Sequence, residues 1–420
     1  MIENIHLENF KCFRNLEVNP KLITILIGPN GTGKSSVLQA LALFKQSIGH
    51  SGLRFSGGQV NFARYHDIVP SLTPPSAAPM AMGFSGVVSP DELIFGEIGT
   101  EARYSFQAEF DDSGNISRTF GGFWSKHIGT EFGFEMHVGD DFSERMLSLG
   151  PYEAALRYVK NIAQLVECGG WRTLPDQDTR RQFDILIRAA NYELAMLRFV
   201  PGARGLTRPV YGMTDQLLND LPVNAGSSER EQQTATNLVY SRQIENRISD
   251  FVESVTGMRI RAEPVPPKSV EVRALGKVGP INIVGEGFGT NALIFLAHQL
   301  VNAEDGSCIL IEEPEIHLHP KAQADVASAL AEEAKAHDKQ LIISTHSEHL
   351  LGRFLTLVVE RKLSSDDIAL YSFSKDGEGA CSADKLEITE DGKVKGGLKD
   401  FFESELEEMD RYMKALQIKE

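Results

Sequence analysis

A short apolar run followed at once by a glycine-rich loop constrains this chain more than any other feature. The run covers residues 22–27 and is rich in β-branched side chains, as in a buried strand of a mainly parallel sheet. The loop reads Gly28-Pro29-Asn30-Gly31-Thr32-Gly33-Lys34-Ser35, and apolar residues then recur at helical spacing as far as Phe44. Strand, glycine loop and helix in this order predict an α/β fold of the P-loop type.

The same loop predicts a binding site for ATP. Glycines allow successive backbone N–H groups to surround the β- and γ-phosphates, and the helix N-terminus adds partial positive charge. Lys34 is expected to neutralise phosphate oxygens, and the Ser35 hydroxyl is expected to hold Mg²⁺. The predicted nucleotide contacts are Asn30, Gly31, Thr32, Gly33, Lys34, Ser35 and Ser36. A chance glycine-rich turn is the alternative, and the full eight-residue pattern between strand and helix disfavours it.

Length and composition limit the other classes of protein. At 420 residues the chain exceeds one typical hydrophobic core, which predicts two domains or one domain with an insertion. No apolar run approaches the ~18 residues of a membrane-spanning helix. The start of the chain lacks the pattern of a signal peptide, so we expect a cytoplasmic protein without a membrane partner. Four scattered cysteines favour reduced thiols over a zinc site or disulfides.

The residue pattern divides the chain into four predicted segments. Residues 1–150 hold the phosphate loop and an antiparallel β-lobe, which the alternation of apolar and polar residues over 102–110 indicates. Residues 151–258 are predicted to form a helical insertion. Residues 259–390 return to an α/β pattern, and residues 391–420 are predicted to form an acidic helical tail.

Within these segments, composition and spacing predict individual elements. Five prolines between residues 70 and 90 predict an irregular loop. In the insertion, helices are predicted over 152–166, 181–199 and 234–255, with a flexible break over 212–233. The following part is predicted to contain strands near 259–284, helix 290–302, strand 308–311, helix 320–336 and strand 340–344.

Two carboxylates follow the predicted strand 308–311. Because parallel strands end at the same edge of a sheet, Glu312 and Glu313 are expected beside the phosphate loop. ATP hydrolysis uses one acidic residue to order Mg²⁺ and a second to polarise the attacking water, and we assign these roles to Glu312 and Glu313 respectively. A solvated charge pair is the alternative, and the preceding buried strand and the upstream phosphate loop disfavour it.

The predicted strand 340–344 leads into Thr345, His346 and Ser347. A histidine at this position lies at the carboxyl end of a core strand, where it is within reach of a γ-phosphate. We therefore predict that His346 senses the γ-phosphate by hydrogen bonding. An ordinary polar residue is the alternative for a histidine taken alone.

Taken together, these motifs resemble the ABC-type ATPase heads of the SMC, RecF and OLD-like group. The resemblance is carried by residues 2–13, the phosphate loop, residues 312–320 and residues 344–347. It implies a mixed α/β P-loop fold with an antiparallel β-lobe and an inserted helical subdomain. It also implies ATP and Mg²⁺ as cofactors, and a homodimer or higher oligomer in which ATP lies between two heads.

The resemblance further implies a signature motif, which residues 285–291 match. Gly287, Gly289 and Thr290 are expected to form a second phosphate cradle for the ATP of the other head, with Thr290 in place of the family's usual serine. The nearest match to the family's magnesium-contacting glutamine is Gln59.

Arg204, His317 and His319 are three further candidates for the predicted nucleotide site or its dimer interface. Arg204 is similar to an arginine that follows the helical insertion in these ATPases, with a surface arginine as an alternative of equal weight. His317 and His319 lack a companion Cys or carboxylate cluster, so we assign them to a loop at the dimer interface rather than to a metal site.

The absence of two sequence patterns narrows the functional hypotheses. The stretch after Ser347 lacks the acidic spacing of a Toprim nuclease domain, and the insertion lacks the sustained heptads of a long coiled coil. The leading hypothesis is a dimerising ATPase that switches a separate effector protein or a nucleic-acid-associated complex, in DNA repair or antiviral defence. At a net charge of −16, DNA contact would require a local basic patch. A transporter ATPase subunit and a nucleotide-gated scaffold with little turnover are the alternatives.

Overall fold

The computed structural model describes residues 1–47, 52–69, 79–88, 102–125, 131–138, 145–149, 152–156, 192–213, 227–276 and 279–398. The strands are β1 (Ile2–Phe10), β2 (Phe13–Val18), β3 (Ile23–Ile27), β4 (Met80–Val88), β5 (Ala102–Phe110), β6 (Ile116–Ser125), β7 (Glu131–Val138), β8 (Arg145–Leu149), β9 (Tyr152–Leu156), β10 (Arg198–Val200), β11 (Tyr211–Gly212), β12 (Arg259–Val265), β13 (Ser269–Gly276), β14 (Gly279–Asn282), β15 (Cys308–Glu312), β16 (Gln340–Ser344), β17 (Ile368–Lys375) and β18 (Cys381–Leu386). The α-helices are α1 (Lys34–Gln46), α2 (Ser227–Tyr240), α3 (Arg242–Thr256), α4 (Phe288–Val301), α5 (Pro320–Ala336) and α6 (Glu348–Val359).

A six-stranded, mainly parallel sheet forms the centre of the fold. Its strand order is β10-β15-β16-β3-β17-β18, and only β18 runs antiparallel to its neighbour. Strands β3 and β16 are buried along their whole length, as expected for strands covered on both faces. The carboxyl ends of five parallel strands therefore meet at one edge, where such sheets bind ligands.

An eight-stranded antiparallel sheet forms the β-lobe, in the order β2-β1-β4-β5-β6-β7-β8-β9. Phe44 at the end of α1 packs its ring against Phe84, Phe106 and Phe110, with centroid distances of 5.8, 5.9 and 6.5 Å. Buried aromatic clusters of this kind contribute both apolar area and edge-to-face contacts. The helix that begins at the phosphate loop is thus anchored in the β-lobe at its other end.

A third, smaller sheet pairs β13 with β11, β12 and β14 and packs against α2 and α3. Helix α4 is buried on nearly every side and lies within the same apolar core. No helix in the described ranges is long and apolar enough to cross a membrane.

The predicted α/β fold with an antiparallel lobe is confirmed, and several element boundaries are corrected. Strand β4 crosses the stretch predicted as an irregular loop, because its backbone is paired on both sides by β1 and β5. Helix α2 begins at Ser227, inside the predicted flexible break. Strands β9 and β10 overlap the predicted helices 152–166 and 181–199, because pairing with β8 and β15 overrides the local helical spacing.

Other predicted elements agree with the structure or lie outside it. The phosphate-loop strand and helix, helix Pro320–Ala336 and strand Gln340–Ser344 are confirmed. The predicted helix 234–255 is observed as α2 and α3, which meet at Ser241. The predicted helix 181–199 is observed over 192–196, and residues 157–166 and 181–191 lie outside the described residues. The predicted helical tail 391–420 instead begins with turns and a β-bridge of Val394 to Ile388, and its residues beyond 398 lie outside the described residues.

A buried histidine joins α4 to α2 and makes stability depend on pH. His298 is fully buried, its Nε2 faces the Asn237 amide nitrogen at 3.3 Å, and its Nδ1 lies 3.1 Å from the Thr234 hydroxyl. Burial lowers the pKa of His298 to about 3. The unfolded chain therefore binds the proton more tightly than the folded chain does. The contribution of neutral His298 to the free energy of unfolding is fully present above pH ~6.5 and falls as the pH drops toward 3.

We expect the wild-type protein to lose about 2 kcal/mol of unfolding free energy between pH 8 and pH 5 through this one group. Chemical denaturation across that pH range measures the loss. His298→Gln should flatten the slope, and the exposed His66→Gln should leave it unchanged. An unaltered slope in His298→Gln would contradict the assignment.

Candidate active site

The phosphate loop connects β3 to α1 in a conformation that requires glycine. Gly28 and Gly33 have φ angles of 139° and 94°, in the region that side chains rarely adopt. A Cβ at Gly28 would lie 2.3 Å from the Phe373 carbonyl oxygen, and one at Gly33 would lie 2.4 Å from the Phe13 ring. The loop is therefore held tightly between β17 and the β1–β2 turn.

Lys34 lies inside this loop. Its Nζ donates hydrogen bonds to the carbonyl oxygens of Gly28, at 2.7 Å, and Pro29, at 2.8 Å. Burial lowers the pKa of Lys34 to about 8, against the opposing charges of Glu313 and Glu315. Gly33 caps α1 without a side-chain hydrogen bond, so the helix presents backbone N–H groups and a positive dipole end here.

Glu312 ends strand β15, and neighbouring groups hold its carboxylate on both sides. One oxygen accepts a hydrogen bond from the Gln39 side chain at 3.1 Å, and the other accepts from the Gly202 backbone N–H at 3.1 Å. Burial raises the pKa of Glu312. Lys11 donates to the same Gln39 side chain at 2.6 Å, so a chain of polar contacts runs from the β1–β2 turn to the carboxylate.

Gln39 is a site residue that the sequence analysis missed. It lies on α1 one turn after Ser35, and residues four apart share a helix face. That spacing from Ser35 is the signal that could have identified it.

Glu313 occupies the bend after β15 in an unusual backbone conformation. Its φ angle is 44°, a left-handed value that is costly for a residue other than glycine and often marks functional sites. Its N–H donates to the Ser344 carbonyl oxygen at 2.9 Å, which ties the end of β15 to the end of β16.

His346 follows β16 at the same edge of the sheet. Its backbone N–H donates to Glu315 at 2.9 Å, and the neighbouring Thr345 hydroxyl donates to the same carboxylate oxygen at 2.6 Å. Partial burial and the positive charge of Lys34 lower the pKa of His346. The neutral form of the imidazole is therefore favoured.

Arg204 is only partly exposed and its guanidinium is bonded to the main chain, which disfavours the surface-arginine alternative. Its guanidinium donates to the carbonyl oxygens of Pro201 at 3.0 Å, Glu312 at 2.7 Å and Glu313 at 2.8 Å. Burial lowers the pKa of Arg204 to about 10. Arg204 thus binds the main chain of Glu312, the predicted Mg²⁺ ligand, and of Glu313, the predicted catalytic carboxylate.

The predicted signature residues face a different cleft. Gly287, Gly289 and Thr290 line a cleft of about 550 Å³ together with His317, His319 and Lys321 among others, and no phosphate-loop residue lines it. Thr290 is only 6% exposed, in the first turn of α4. The structure therefore brings Lys34, Glu312, Glu313 and His346 together but keeps Thr290 apart from them.

Gln59 lies beside the carboxyl end of α1 rather than at the phosphate loop. Its backbone N–H donates to the Gln46 side chain at 3.3 Å, and Gln46 is the last residue of α1. The rise of an α-helix places that end about 18 Å from Lys34. The side-chain oxygen of Gln59 is buried without a hydrogen-bond partner among the described residues. Among the hydrogen bonds of the described residues, Gln39 and not Gln59 donates to the Glu312 carboxylate.

The residues at the sheet edge fit Mg²⁺ shared between protein and phosphate. In the part of the chain that the structure describes, no three His, Cys, Asp or Glu side chains group as a metal site. Mg²⁺ typically takes one or two carboxylates plus phosphate oxygens, rather than a site made of protein alone. At the phosphate loop, the Glu312 carboxylate and the Ser35 hydroxyl are the oxygen groups that would hold such an ion. Ser35 lies on α1 one turn before Gln39, which bonds Glu312.

Comparisons with known proteins agree with this geometry. A family model for the AAA ATPase domain matches residues 1–148 and 216–351. An OLD nuclease of Thermus scotoductus is 24% identical over 387 residues, which are 90% of this chain and 65% of that protein. The chain thus spans less than two thirds of that relative.

Two solved structures were compared with this chain, and the first of them has a similar fold. The SMC head bound to the C-winged helix domain of ScpA has a TM-score of 0.51 at 16% identity, covering 92% of this chain and 97% of that one. An SMC head with an extended coiled coil bound to the C-terminal domain of ScpA, derived from Pyrococcus furiosus, has a TM-score of 0.47 at 13% identity, covering 99% of each chain. The first likeness shows an SMC-head-like P-loop ATPase fold.

Proposed function

This chain belongs to the AAA ATPase domain family, and from that premise we propose that it hydrolyses ATP at sites completed by a second copy of itself. One observation carries the proposal. The phosphate loop, the two carboxylates and His346 lie at one sheet edge, while the cradle of Thr290 opens into a separate cleft.

Binding of ATP is assigned to the phosphate loop and the start of α1. The backbone N–H groups of residues 30–36 and the ammonium of Lys34 would pair with phosphate oxygens, so Lys34 would exchange its carbonyl partners for an anion. Ser35 and Glu312 would hold Mg²⁺, which when bound neutralises charge on the phosphates.

The hydrolytic step is assigned to Glu313 and His346. The Glu313 carboxylate accepts a proton from the attacking water, and the fixed backbone at φ 44° sets where that carboxylate stands. His346, with its pKa lowered, remains largely neutral at pH 7 and can donate a hydrogen bond to a γ-phosphate oxygen.

The second copy is needed because no phosphate-loop residue of the same chain lines the cleft of the signature residues. The N-terminus of the 14-residue helix α4, the glycines and the Thr290 hydroxyl together suit a phosphate group. Phe288, beside these glycines, is 75% exposed and stacks on His317, which gives the rim of the cleft an apolar contact surface. A phosphate loop from another copy would complete this cleft.

Thr290→Val tests whether Thr290 acts on the ATP bound by the other copy. We expect ATP turnover to fall on the order of 100-fold, because one preorganised donor is lost from the transition state. The Kd for ATP of the separate chain should be unchanged, since Lys34 and its loop remain intact. Phosphate release and equilibrium ATP binding measure the two quantities.

Thr356→Val is the matched control, because Thr356 is exposed on α6 and its hydroxyl donates to the carbonyl oxygen of Gly352 in the same helix. A Thr290→Val protein that hydrolyses ATP at the wild-type rate would contradict the role of Thr290. Equal losses of ATP binding and turnover would place Thr290 in the site of its own chain instead.

The partner on which the ATP state acts is a further part of the proposal. One relative is named a nuclease, and one structural neighbour is an SMC head bound to a domain of another protein. We propose that this chain passes its ATP state to a separate effector or a nucleic-acid-associated complex, in DNA repair or antiviral defence. A wild-type protein that forms an ATP-bound dimer but releases no phosphate would favour the scaffold alternative.

A further inference from the structure

Arg204 holds the main chain of both catalytic carboxylates at once. Two different guanidinium nitrogens bind the carbonyl oxygens of Glu312 and Glu313. A planar guanidinium fixes two acceptors in a defined geometry, which a single ammonium group does not. Arg204 therefore controls the bend at which β15 ends and Glu313 takes its left-handed conformation.

Glu315 makes the corresponding contacts to the sensor loop. Its Oε1 accepts from the Thr345 hydroxyl and from the His346 backbone N–H. Glu315 is 8% exposed, so this carboxylate lies almost entirely inside the protein. It therefore fixes the start of the segment that carries His346.

The contacts of Arg204 and Glu315 meet at one bend of the chain. Glu313 and Glu315 are two residues apart, and the Glu313 N–H donates to the carbonyl oxygen of Ser344, next to Thr345. Of the carboxylates around the Arg204 guanidinium, Glu315 has the largest favourable electrostatic effect, ahead of Glu313 and Glu312.

Neither side chain is placed for maximal stability. The Nε of Arg204 and the Oε2 of Glu315 are both buried without a hydrogen-bond partner among the described residues. Buried polar atoms without partners cost stability. A role in positioning accounts for these two residues where a role in stability does not.

We propose that Arg204 and Glu315 are positioning residues that set the placement of Glu313 relative to His346 for ATP hydrolysis. The inference rests on the proposed function. It assigns to both residues an effect on turnover and no direct contact with ATP.

Arg204→Lys and Glu315→Gln test the proposal with little change in shape. Lysine keeps the charge but lacks the planar fork that holds both carbonyl oxygens in one geometry, and glutamine offers Thr345 and His346 a neutral acceptor in place of a charged one. We expect kcat to fall about 100-fold in each variant, the size of effect that a small misplacement of reacting groups produces, while KM for ATP stays near the wild-type value. The double variant should lose no more than the more affected single variant, because both residues act through one geometry.

Arg208→Lys is the matched control, since Arg208 is exposed and bonds the Ser228 hydroxyl away from the carboxylates. Melting temperatures establish that each variant is folded, and Glu315→Gln carries the test if Arg204→Lys does not fold. Wild-type kcat in a folded Glu315→Gln protein, or a rise in KM at constant kcat, overturns the inference. The inference is also overturned if the loss of kcat in the double variant equals the product of the two single losses. Absence of turnover in the wild-type protein would instead contradict the proposed function.

Discussion

Lys34→Met is expected to abolish ATP binding at working concentrations, with Kd raised by about 100-fold. The Lys34 Nζ lies within the loop, 2.7 and 2.8 Å from two of its carbonyl oxygens, where phosphate oxygens would take their place. Two charged hydrogen bonds at roughly 1.5 kcal/mol each account for a change of that size. Isothermal titration with ATP measures it directly.

The stability of the Lys34→Met protein separates a binding defect from a folding defect. Burial already penalises the ammonium and lowers the pKa of Lys34 to about 8, so an uncharged side chain of similar length should not reduce the melting temperature. Lys362→Met is the control, because Lys362 is an exposed lysine paired with Glu360. Binding of ATP by Lys34→Met with the wild-type Kd would show that this loop is not the nucleotide site.

Glu313→Gln is expected to slow ATP hydrolysis by about 1000-fold while ATP still binds. A glutamine amide does not accept a proton from water, and general-base catalysis contributes 10²–10⁴-fold in enzymes. The main-chain bonds of Glu313 to Ser344 and Arg204 do not involve the replaced carboxylate, so the bend should persist. Single-turnover phosphate release measures the rate.

Glu332→Gln, an exposed position on α5, provides the matched control for this substitution. We expect it to hydrolyse ATP at the wild-type rate. Equal rates in Glu313→Gln and wild type would show that another group activates the water.

The central sheet could be predicted because its core strands are recognisable from local sequence alone. Strands β3, β15 and β16 are short and mostly apolar, and the phosphate loop, Glu312 and the segment with His346 come at or just after their ends. Once such runs are parallel neighbours, their carboxyl ends must meet, so the positions of Lys34, Glu312 and His346 follow from local sequence.

The remaining features depend on contacts between distant residues. Strand β9 and strand β10 are held by pairing partners, and the short sequences themselves have helical spacing. Arg204 reaches Glu312 across 108 positions of sequence, and Gln39 reaches it across 273. Spacing along the chain places Gln39 one turn after Ser35 but does not report its contact with Glu312, and the nearest match to a family motif points to Gln59 instead.

The solution mass of Glu313→Gln with and without ATP tests the central claim most directly. Slowed hydrolysis should trap the state in which each Thr290 cradle receives the phosphate of the other copy. Light scattering coupled to size exclusion should give a monomer without nucleotide and a dimer with ATP and Mg²⁺, and the added Thr290→Val change should abolish the dimer. A Glu313→Gln protein that is saturated with ATP and still has the mass of a monomer would contradict the shared site.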